Sequence, residues 1–241
     1  MIFEDNYKLQ IRDTRLNSEV TNKALLGIME DIAGMHSAKV GFGLTDIPKT
    51  NLTWILLDWK LEVKKRVKYG DQVHVKTWSR YIYKCYAYRD FEIYDTNQNL
   101  VAIATSKWVL IDVNKNRIIR VEDEVANKYE SETDKSVFNI KELDKLKEPE
   151  SFLSQVEYTV CRRDIDVYKH MHNLYYLDLA YEALPEDVYY APELANVRIT
   201  YKKEIKLGDK VNCKYTKENN KHIVIIRSEN DKITHAIIEL W

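Results

Sequence analysis

The chain has 241 residues, of which 45% are hydrophobic and 31% charged, a composition typical of a globular protein with a substantial core. Its 37 Lys and Arg residues and 38 Asp and Glu residues give a net charge of −1, which excludes a general electrostatic attraction to nucleic acid. The first residues do not have the pattern of a secretory signal, and no window of about 18 apolar residues predicts a membrane span.

The first predicted element is an amphipathic helix. Apolar residues from Val20 to His36 recur at helical spacing and form one stripe. We expect Asn17 or Ser18 to cap the start of this helix and Gly41 to end it. His36 closes the stripe, and we expect it to be a packed core histidine rather than a ligand.

Four strands are expected after this helix, because runs of β-forming residues are separated by turn signals. Their expected bounds are 51–63, 71–78, 86–94 and 100–111. The composition then changes, and 15 of the 30 residues from 121 to 150 are charged. Such a composition predicts a helical or irregular linker that adds nothing to a core.

The pattern starts again after this charged segment. A strand is expected at 152–162 and a helix at 173–184, which Pro185 stops. Four further strands are expected at 194–206, 208–216, 221–228 and 232–240. We therefore expect an N-terminal domain at 1–135, a charged linker at 136–150 and a C-terminal domain at 151–241.

An internal repeat relates the two halves. The segment Val63–Trp78 aligns with Tyr201–Thr216 at a constant offset of 138, with seven of 16 positions identical. The identical pairs include a Gly-Asp turn, Gly70-Asp71 and Gly208-Asp209. Both halves thus have the order strand, helix, antiparallel meander. An antiparallel sheet wrapped around a central helix is the hot-dog arrangement, so the sequence predicts an α+β fold with two tandem hot-dog domains.

Several common sites are excluded by missing motifs. The glycines do not form GxGxxG or GxxxxGK, which cradle phosphates, or the GxSxG turn of serine hydrolases. The three cysteines, Cys85, Cys161 and Cys213, are far apart, lack a CxxC zinc spacing and indicate a reducing, cytoplasmic location. We therefore expect no nucleotide, no metal and no other cofactor.

The densest polar cluster runs from Cys161 to Asn173 and precedes the second predicted helix. Asp166 and His170 are four residues apart, and a carboxylate beside an imidazole can orient it and stabilise its charged form. The N–H groups at the helix start near Asn173 suit an oxyanion. A solvated capping loop, half of a metal site at His170 and His172, and a Cys161 nucleophile remain alternatives.

The repeat makes this cluster specific to the second half. Glu204 in the second half corresponds to Arg66 in the first. When Arg12-Asp13 is aligned with Arg163-Asp164, Arg15 aligns with Asp166 and Glu19 aligns with His170. The acid and base residues therefore occur only once, which favours a catalytic second half and a binding first half.

Four segments carry a resemblance to a known family. They are Arg162–Asn173 followed by Tyr176, Tyr201–Ile205, Asn51–Trp54 and Tyr69–Trp78. Their residues, and their order and spacing along the chain, resemble motifs of the acyl-acyl-carrier-protein thioesterases of plants and bacteria. The resemblance covers essentially the whole chain. It implies a double hot-dog protein that hydrolyses the thioester of a fatty acyl chain carried on acyl carrier protein.

The resemblance also implies roles for individual residues. Asp166, His170 and Glu204 take the catalytic positions. The implied substrate-binding residues are Tyr168, Asn173, Asn51 and Trp54. Tyr168 stands where the family has a catalytic Asn, and it lacks the paired donor and acceptor of an amide. Ile205 stands where the family has a Cys, so no cysteine nucleophile is expected there.

Expected partners follow from the same reasoning. The acyl chain is expected in an apolar pocket of the first half, near Trp54 and the helix face of Ile28, Met29 and Ile32. The acidic carrier protein is expected to dock on basic residues, namely Arg162, Arg163, Lys202, Lys203 and Lys206. No nucleic-acid partner is expected, and a homodimer stays open. An acyl-CoA thioesterase, a non-catalytic acyl-binding module and a hot-dog dehydratase are the alternative functions.

Overall fold

The computed structural model describes residues 1–241 and divides into two compact units, Met1–Glu142 and Leu143–Trp241. The first unit contains β1 (Ile2–Lys8), α1 (Asn22–Lys39), α2 (Ile47–Thr50), β2 (Leu52–Val63), β3 (Gln72–Tyr83), β4 (Tyr86–Asp95), β5 (Leu100–Asp112), β6 (Arg117–Ile118) and α3 (Asp123–Lys128). Its antiparallel strands follow the order β1-β3-β4-β5-β2, with β6 beside β5. The long helix α1 packs against this sheet.

The second unit repeats this order of elements. It contains β7 (Ser154–Thr159), α4 (Asn173–Glu182), α5 (Glu186–Tyr189), β8 (Asn196–Tyr201), β9 (Lys210–Glu218), β10 (Lys221–Ser228) and β11 (Thr234–Leu240). The antiparallel order β7-β9-β10-β11-β8 is that of the first sheet, and α4 packs against β10 and β11. No helix in either unit has both the length and the apolar character needed to cross a membrane.

The predicted elements are present, but some of their bounds differ. Strand β3 continues to Tyr83 because a register shift between Ser79 and Tyr81 interrupts the alternating pattern without ending the strand. Strand β8 ends at Tyr201 rather than at residue 206, because the next residues leave the sheet. Strand β1, for which the periodicity set no bounds, pairs with β3 along its whole length.

The start of α1 differs from the sequence-based expectation. The N-cap is Thr21, whose Oγ1 accepts a hydrogen bond from the Ala24 N–H at 3.0 Å. Asn17 and Ser18 instead lie in a preceding turn with positive φ angles of 62° and 59°. Gly41 follows the helix end with a φ of +86°, a left-handed conformation that favours glycine. The expected terminator is therefore confirmed, and the expected caps are wrong.

The charged segment that begins at residue 121 does contribute to a core. Val121, Val125 and Tyr129 are buried against Phe42 and Leu110 in the first unit. These three residues are four apart, so they share one face of α3 and its flanks while the charged residues take the other faces. The expectation drawn from composition was wrong, because composition does not record periodicity.

The rest of the charged segment is irregular but bound to the sheets. In the first unit the buried Arg80 guanidinium donates to the backbone carbonyl of Lys141 at 2.6 Å and to that of Ile140. In the second unit the Glu148 carboxylate accepts from Lys202 at 2.9 Å and from Arg227 at 2.6 Å. These contacts hold a segment without secondary structure in place.

His36 is buried in the first unit, as expected of a core histidine. Its Nδ1 accepts a hydrogen bond from the buried Arg89 guanidinium at 2.9 Å, and its ring stacks on Phe3 with centroids 5.5 Å apart. The other nitrogen, Nε2, is buried without a hydrogen-bond partner. Burial, and then the charge of Arg89, lowers the pKa of His36 to about 3.

This buried histidine makes the folded state sensitive to acid. The unfolded chain binds a proton at His36 more readily than the folded chain, so stability is full above the ordinary histidine pKa and falls as the pH falls below it. We expect this residue to lower the free energy of unfolding by about 2 kcal/mol between pH 7 and pH 5. His36→Asn keeps an acceptor near Arg89 and should remove this pH dependence, measured by urea unfolding. An unchanged pH dependence of the free energy of unfolding in the variant would contradict this role of His36.

Candidate active site

The polar cluster expected from the sequence forms a closed loop between β7 and α4. We call residues 161–172 the acid–base loop. The Asp166 N–H donates to the His170 carbonyl at 2.8 Å, and the Lys169 N–H donates to the Asp166 carbonyl at 3.1 Å. Lys169 has a φ of +65°, which lets the turn close. The loop therefore has a defined backbone geometry.

The Asp166 carboxylate is held by the loop itself. Its Oδ1 accepts from the backbone N–H of Tyr168 at 2.8 Å and from that of His170 at 3.2 Å. Asp166, Tyr168 and His170 are all partly buried. One carboxylate oxygen is thus used to orient the group, which fixes the direction of the other oxygen relative to the loop.

Glu204 is brought to the acid–base loop by backbone pairing. The Met171 N–H donates to the Ile205 carbonyl at 2.8 Å, and His170 forms an antiparallel bridge with Lys206. His170 and Glu204, which are 34 positions apart in the sequence, therefore lie on neighbouring segments. Asp166, His170 and Glu204 belong to one region of the second unit.

Glu204 is an ionised group at neutral pH. A hydrogen bond from its own backbone N–H lowers the pKa of its carboxyl, and electrostatic interactions with Lys203, His170 and Lys206 lower it further. Partial burial acts in the opposite direction. The side chain is 42% exposed, and its Oε1 lies 3.7 Å from the Lys203 Nζ. A carboxylate in this position can stabilise a positive charge on His170.

The start of α4 differs in one respect from the expectation. Asn173 is the first helical residue, and the N-cap is His172, whose Nδ1 accepts from the Leu174 N–H at 3.3 Å. One of the helix-start donors expected for an oxyanion is therefore already used. The Asn173 carbonyl accepts from the Tyr201 hydroxyl at 3.1 Å, which ties the helix start to β8.

Asn51 and Trp54, the other two predicted binding residues, belong to the first unit. Asn51 ends α2 in a left-handed conformation, and its carbonyl accepts from the Val113 N–H at 2.9 Å. The Trp54 indole donates to the Tyr129 hydroxyl at 2.8 Å, which in turn donates to Ser37 at 3.1 Å. The contacts of both residues hold the first unit together.

Cys161, the alternative nucleophile, is exposed and starts a turn after β7. It lies outside this strand, which was expected to reach residue 162 and ends at Thr159. Its thiol lies 3.3 Å from the Thr159 carbonyl, and its N–H donates to Asp164 at 2.7 Å. The residue caps the loop with its backbone.

Asp164 is the residue of this loop that motif-based reasoning missed. It is buried, and its carboxylate accepts from the Tyr158 hydroxyl as well as from Cys161. A signal for it does exist in the sequence. Asp13 occupies the same place in the first half, and an acid kept in both halves is expected to serve the shared backbone rather than the chemistry.

The first unit contains a second copy of the loop backbone. Its backbone hydrogen bonds match those of the acid–base loop one for one. The Val20 N–H donates to the Val67 carbonyl at 2.9 Å, the Thr21 N–H to the Asp13 carbonyl at 2.9 Å, and the Arg15 N–H to the Glu19 carbonyl at 3.0 Å. Glu19 also forms an antiparallel bridge with Lys68. This confirms the alignment of Arg15 with Asp166 and of Glu19 with His170. Arg66, opposite Glu204, donates to Asn22 Oδ1 at 2.8 Å.

The five basic residues expected to dock a carrier protein are all exposed. Three of them have acidic neighbours: Arg163 lies 3.5 Å from Asp164, Lys202 lies 2.9 Å from Glu148, and Lys203 lies 3.7 Å from Glu204. These carboxylates offset part of the positive charge of the five residues. Arg162 and Lys206 add to the remaining positive charge.

Two family models match the chain. The acyl-ACP thioesterase N-terminal domain matches residues 1–129, and the acyl-ACP thioesterase C-terminal domain matches residues 146–241. The chain belongs to the acyl-ACP thioesterase family. The predicted fold, α+β with two tandem hot-dog domains, is confirmed by solved structures of the family.

Among solved structures, the chain is similar to an acyl-ACP thioesterase from Bacteroides thetaiotaomicron, with a TM-score of 0.86, 19% identity, and coverage of 99% of this chain and 96% of that one. It is also similar to the 12:0-ACP thioesterase from Umbellularia californica, with a TM-score of 0.84, 18% identity, and the same coverage of 99% and 96%.

Among curated relatives, the chain is 25% identical over 228 residues to the chloroplastic oleoyl-acyl carrier protein thioesterase of Coriandrum sativum, covering 87% of this chain and 61% of the relative. It is 23% identical over 239 residues to the chloroplastic oleoyl-acyl carrier protein thioesterase 2 of Arabidopsis thaliana, covering 92% of this chain and 65% of the relative. The chain thus spans less than two thirds of the length of these relatives.

The Asp166 contacts predict a local change that needs no substrate. In Asp166→Ala the N–H groups of Tyr168 and His170 lose their acceptor, at a cost of about 1 kcal/mol per hydrogen bond. We expect amide hydrogen exchange at both residues to become roughly fivefold faster, measured by NMR. Asp166→Asn keeps an oxygen acceptor and should change exchange little. Arg15→Ala, at the matching position of the first unit, is the control, and equal exchange in all three variants would be the contrary result.

Proposed function

We propose that this protein hydrolyses the thioester bond of a fatty acyl chain carried on acyl carrier protein, releasing free fatty acid and so ending chain elongation. The observation that carries the proposal is the grouping of Asp166, His170 and Glu204 beside the start of α4, in a chain of this family. A carboxylate, an imidazole and unpaired helix N–H groups are the parts that acyl transfer to water requires.

In the proposed reaction, water adds to the thioester carbonyl. Asp166, oriented by two backbone N–H groups, positions the water, and His170 accepts its proton. The ionised Glu204 stabilises the resulting imidazolium. The carbon–sulfur bond then breaks, and His170 returns the proton to the departing thiolate. An attack by Asp166 itself, through an anhydride, is the alternative route with the same residues.

The developing oxyanion is assigned to the helix start. Backbone N–H groups there point along the helix axis, and each such donor contributes about 3 kcal/mol to the transition state. His172 uses the Leu174 N–H, so the donors at Asn173 carry this role in the proposal. Tyr168 takes the place of an amide and is proposed to contact the substrate through its hydroxyl.

The remaining expectations complete the proposal. The second domain is catalytic and the first receives the acyl chain against α1, whose Met29 and Ile32 are fully buried and whose Ile28 lies at the edge of the core. The carrier protein docks on the basic residues beside the acid–base loop. The three free cysteines suit the reducing environment of a cytoplasm.

The test is thiol release from a panel of acyl-ACP thioesters, without added metal or nucleotide. We expect Asp166→Asn and His170→Ala each to lower kcat by about 10²-fold or more, through lost acid–base catalysis. Glu204→Gln should also lower kcat, with a smaller effect on KM. Cys161→Ala is the matched control in the same loop and should keep its activity.

Each contrary outcome has its own meaning. Equal or faster release from acyl-CoA would favour an acyl-CoA thioesterase. Tight binding of acyl-ACP without thiol release would favour a binding module. Loss of activity with EDTA and recovery with a divalent ion would contradict the metal-free reaction.

The proposed place of the acyl chain can be tested separately. Ile28→Trp should shift preference to shorter chains while the kcat on the best substrate stays similar, because each methylene no longer buried loses about 0.8 kcal/mol. Met35→Trp, on the exposed side of the same helix, is the control. Thermal melting of both variants separates a smaller pocket from a disrupted core. An unchanged preference in a folded Ile28→Trp protein would contradict this placement.

A further inference from the structure

Asp164 connects three parts of the acid–base loop. The residue is only 2% exposed. Its Oδ2 accepts from the Cys161 N–H at 2.7 Å, at the beginning of the loop, and from the Tyr158 hydroxyl on β7 at 2.7 Å. Its backbone carbonyl accepts from the His172 N–H at 2.8 Å, at the end of the loop. One buried acid therefore joins both ends of the loop to the neighbouring strand.

The charge of this acid is compensated locally. The Arg163 Nε lies 3.5 Å from the Asp164 Oδ1, on the solvent side. Burial, and next the hydrogen bond to Asp164, raises the pKa of Tyr158 to about 12, so the hydroxyl remains a donor at neutral pH. A buried carboxylate that loses such a donor pays a desolvation cost, so the loop is expected to move to satisfy it.

The second copy of the loop shows which of these contacts belong to the fold. In the first unit the Asp13 Oδ2 accepts from the Gln10 N–H at 2.7 Å, which matches the bond between Asp164 and Cys161. Tyr7 occupies the position of Tyr158, but its hydroxyl lies 3.6 Å from the Met35 Sδ. The tyrosine–aspartate bond therefore occurs only in the loop that carries the acid and the imidazole.

We propose that Tyr158 and Asp164 are positioning residues, which hold Asp166 and His170 at the distance from Glu204 that the reaction needs. Asp164 precedes Asp166 by two residues, and its carbonyl holds the residue two positions after His170, so a shift of Asp164 displaces both groups. This inference rests on the proposed hydrolysis. A displacement of about 1 Å at a reacting group costs up to about 10²-fold in rate.

The experiment compares Tyr158→Phe and Asp164→Ala with Tyr7→Phe and Asp13→Ala, the matched changes in the first unit. We expect kcat for acyl-ACP to fall by about tenfold in the first pair, with KM nearly unchanged. The pH profile of kcat should shift its midpoint, because the distances among Asp166, His170 and Glu204 change. Both control variants should keep the wild-type kcat and profile. Thermal melting of all four reports folding.

A different result is expected if Tyr158 and Asp164 only stabilise the fold. If the first pair loses activity only in proportion to its folded fraction, with the pH profile intact, or keeps full activity, the positioning role is wrong. If the wild-type protein releases no thiol, the proposed hydrolysis fails instead. The loop is then judged by amide exchange at His170, which should be faster in Tyr158→Phe than in Tyr7→Phe, and equal exchange would overturn the inference.

Discussion

The hydrogen bond from the Met171 N–H to the Ile205 carbonyl, 2.8 Å long, is the constraint on which the candidate site depends. Both residues are buried, so each polar backbone group needs a partner, and this pairing supplies it. The bond joins the acid–base loop to the segment before β9. His170 and Glu204 are neighbours because of it, although no local pattern connects them.

The same backbone bond occurs in the first unit, between Val20 and Val67 at 2.9 Å, without the same chemistry. The duplicated framework uses backbone groups and a capping aspartate, whereas the side chains of Asp166, His170 and Glu204 take no part in the contacts that the two units share. Such positions can change without loss of the fold. Arg66 illustrates this freedom, since it binds Asn22 and the Val20 carbonyl where the second unit has Glu204.

Charged segments have structural roles in both units. The buried guanidinium of Arg80 donates to carbonyls of an irregular segment, and the Arg198 guanidinium donates to the Asp144 carbonyl at 3.0 Å in the same way. An arginine carries five donors, so it can bind backbone that has no strand or helix partners of its own. A high charge content therefore does not indicate a free linker here. The same segment contains Tyr129, a core residue that its composition did not predict.

The order of the main helices and strands can be predicted from the sequence alone, because apolar periodicity is a local property, and the Gly70 and Gly208 turns reveal the repeat. Asp166 and His170 can also be recognised as candidates, since they are close in sequence. Three features follow from the folded structure alone: Thr21 and His172 are the helix caps, Glu204 lies beside His170, and Asp164 is buried against Tyr158. These outcomes depend on which donors and acceptors meet after folding, and a residue's spacing along the chain does not encode that geometry.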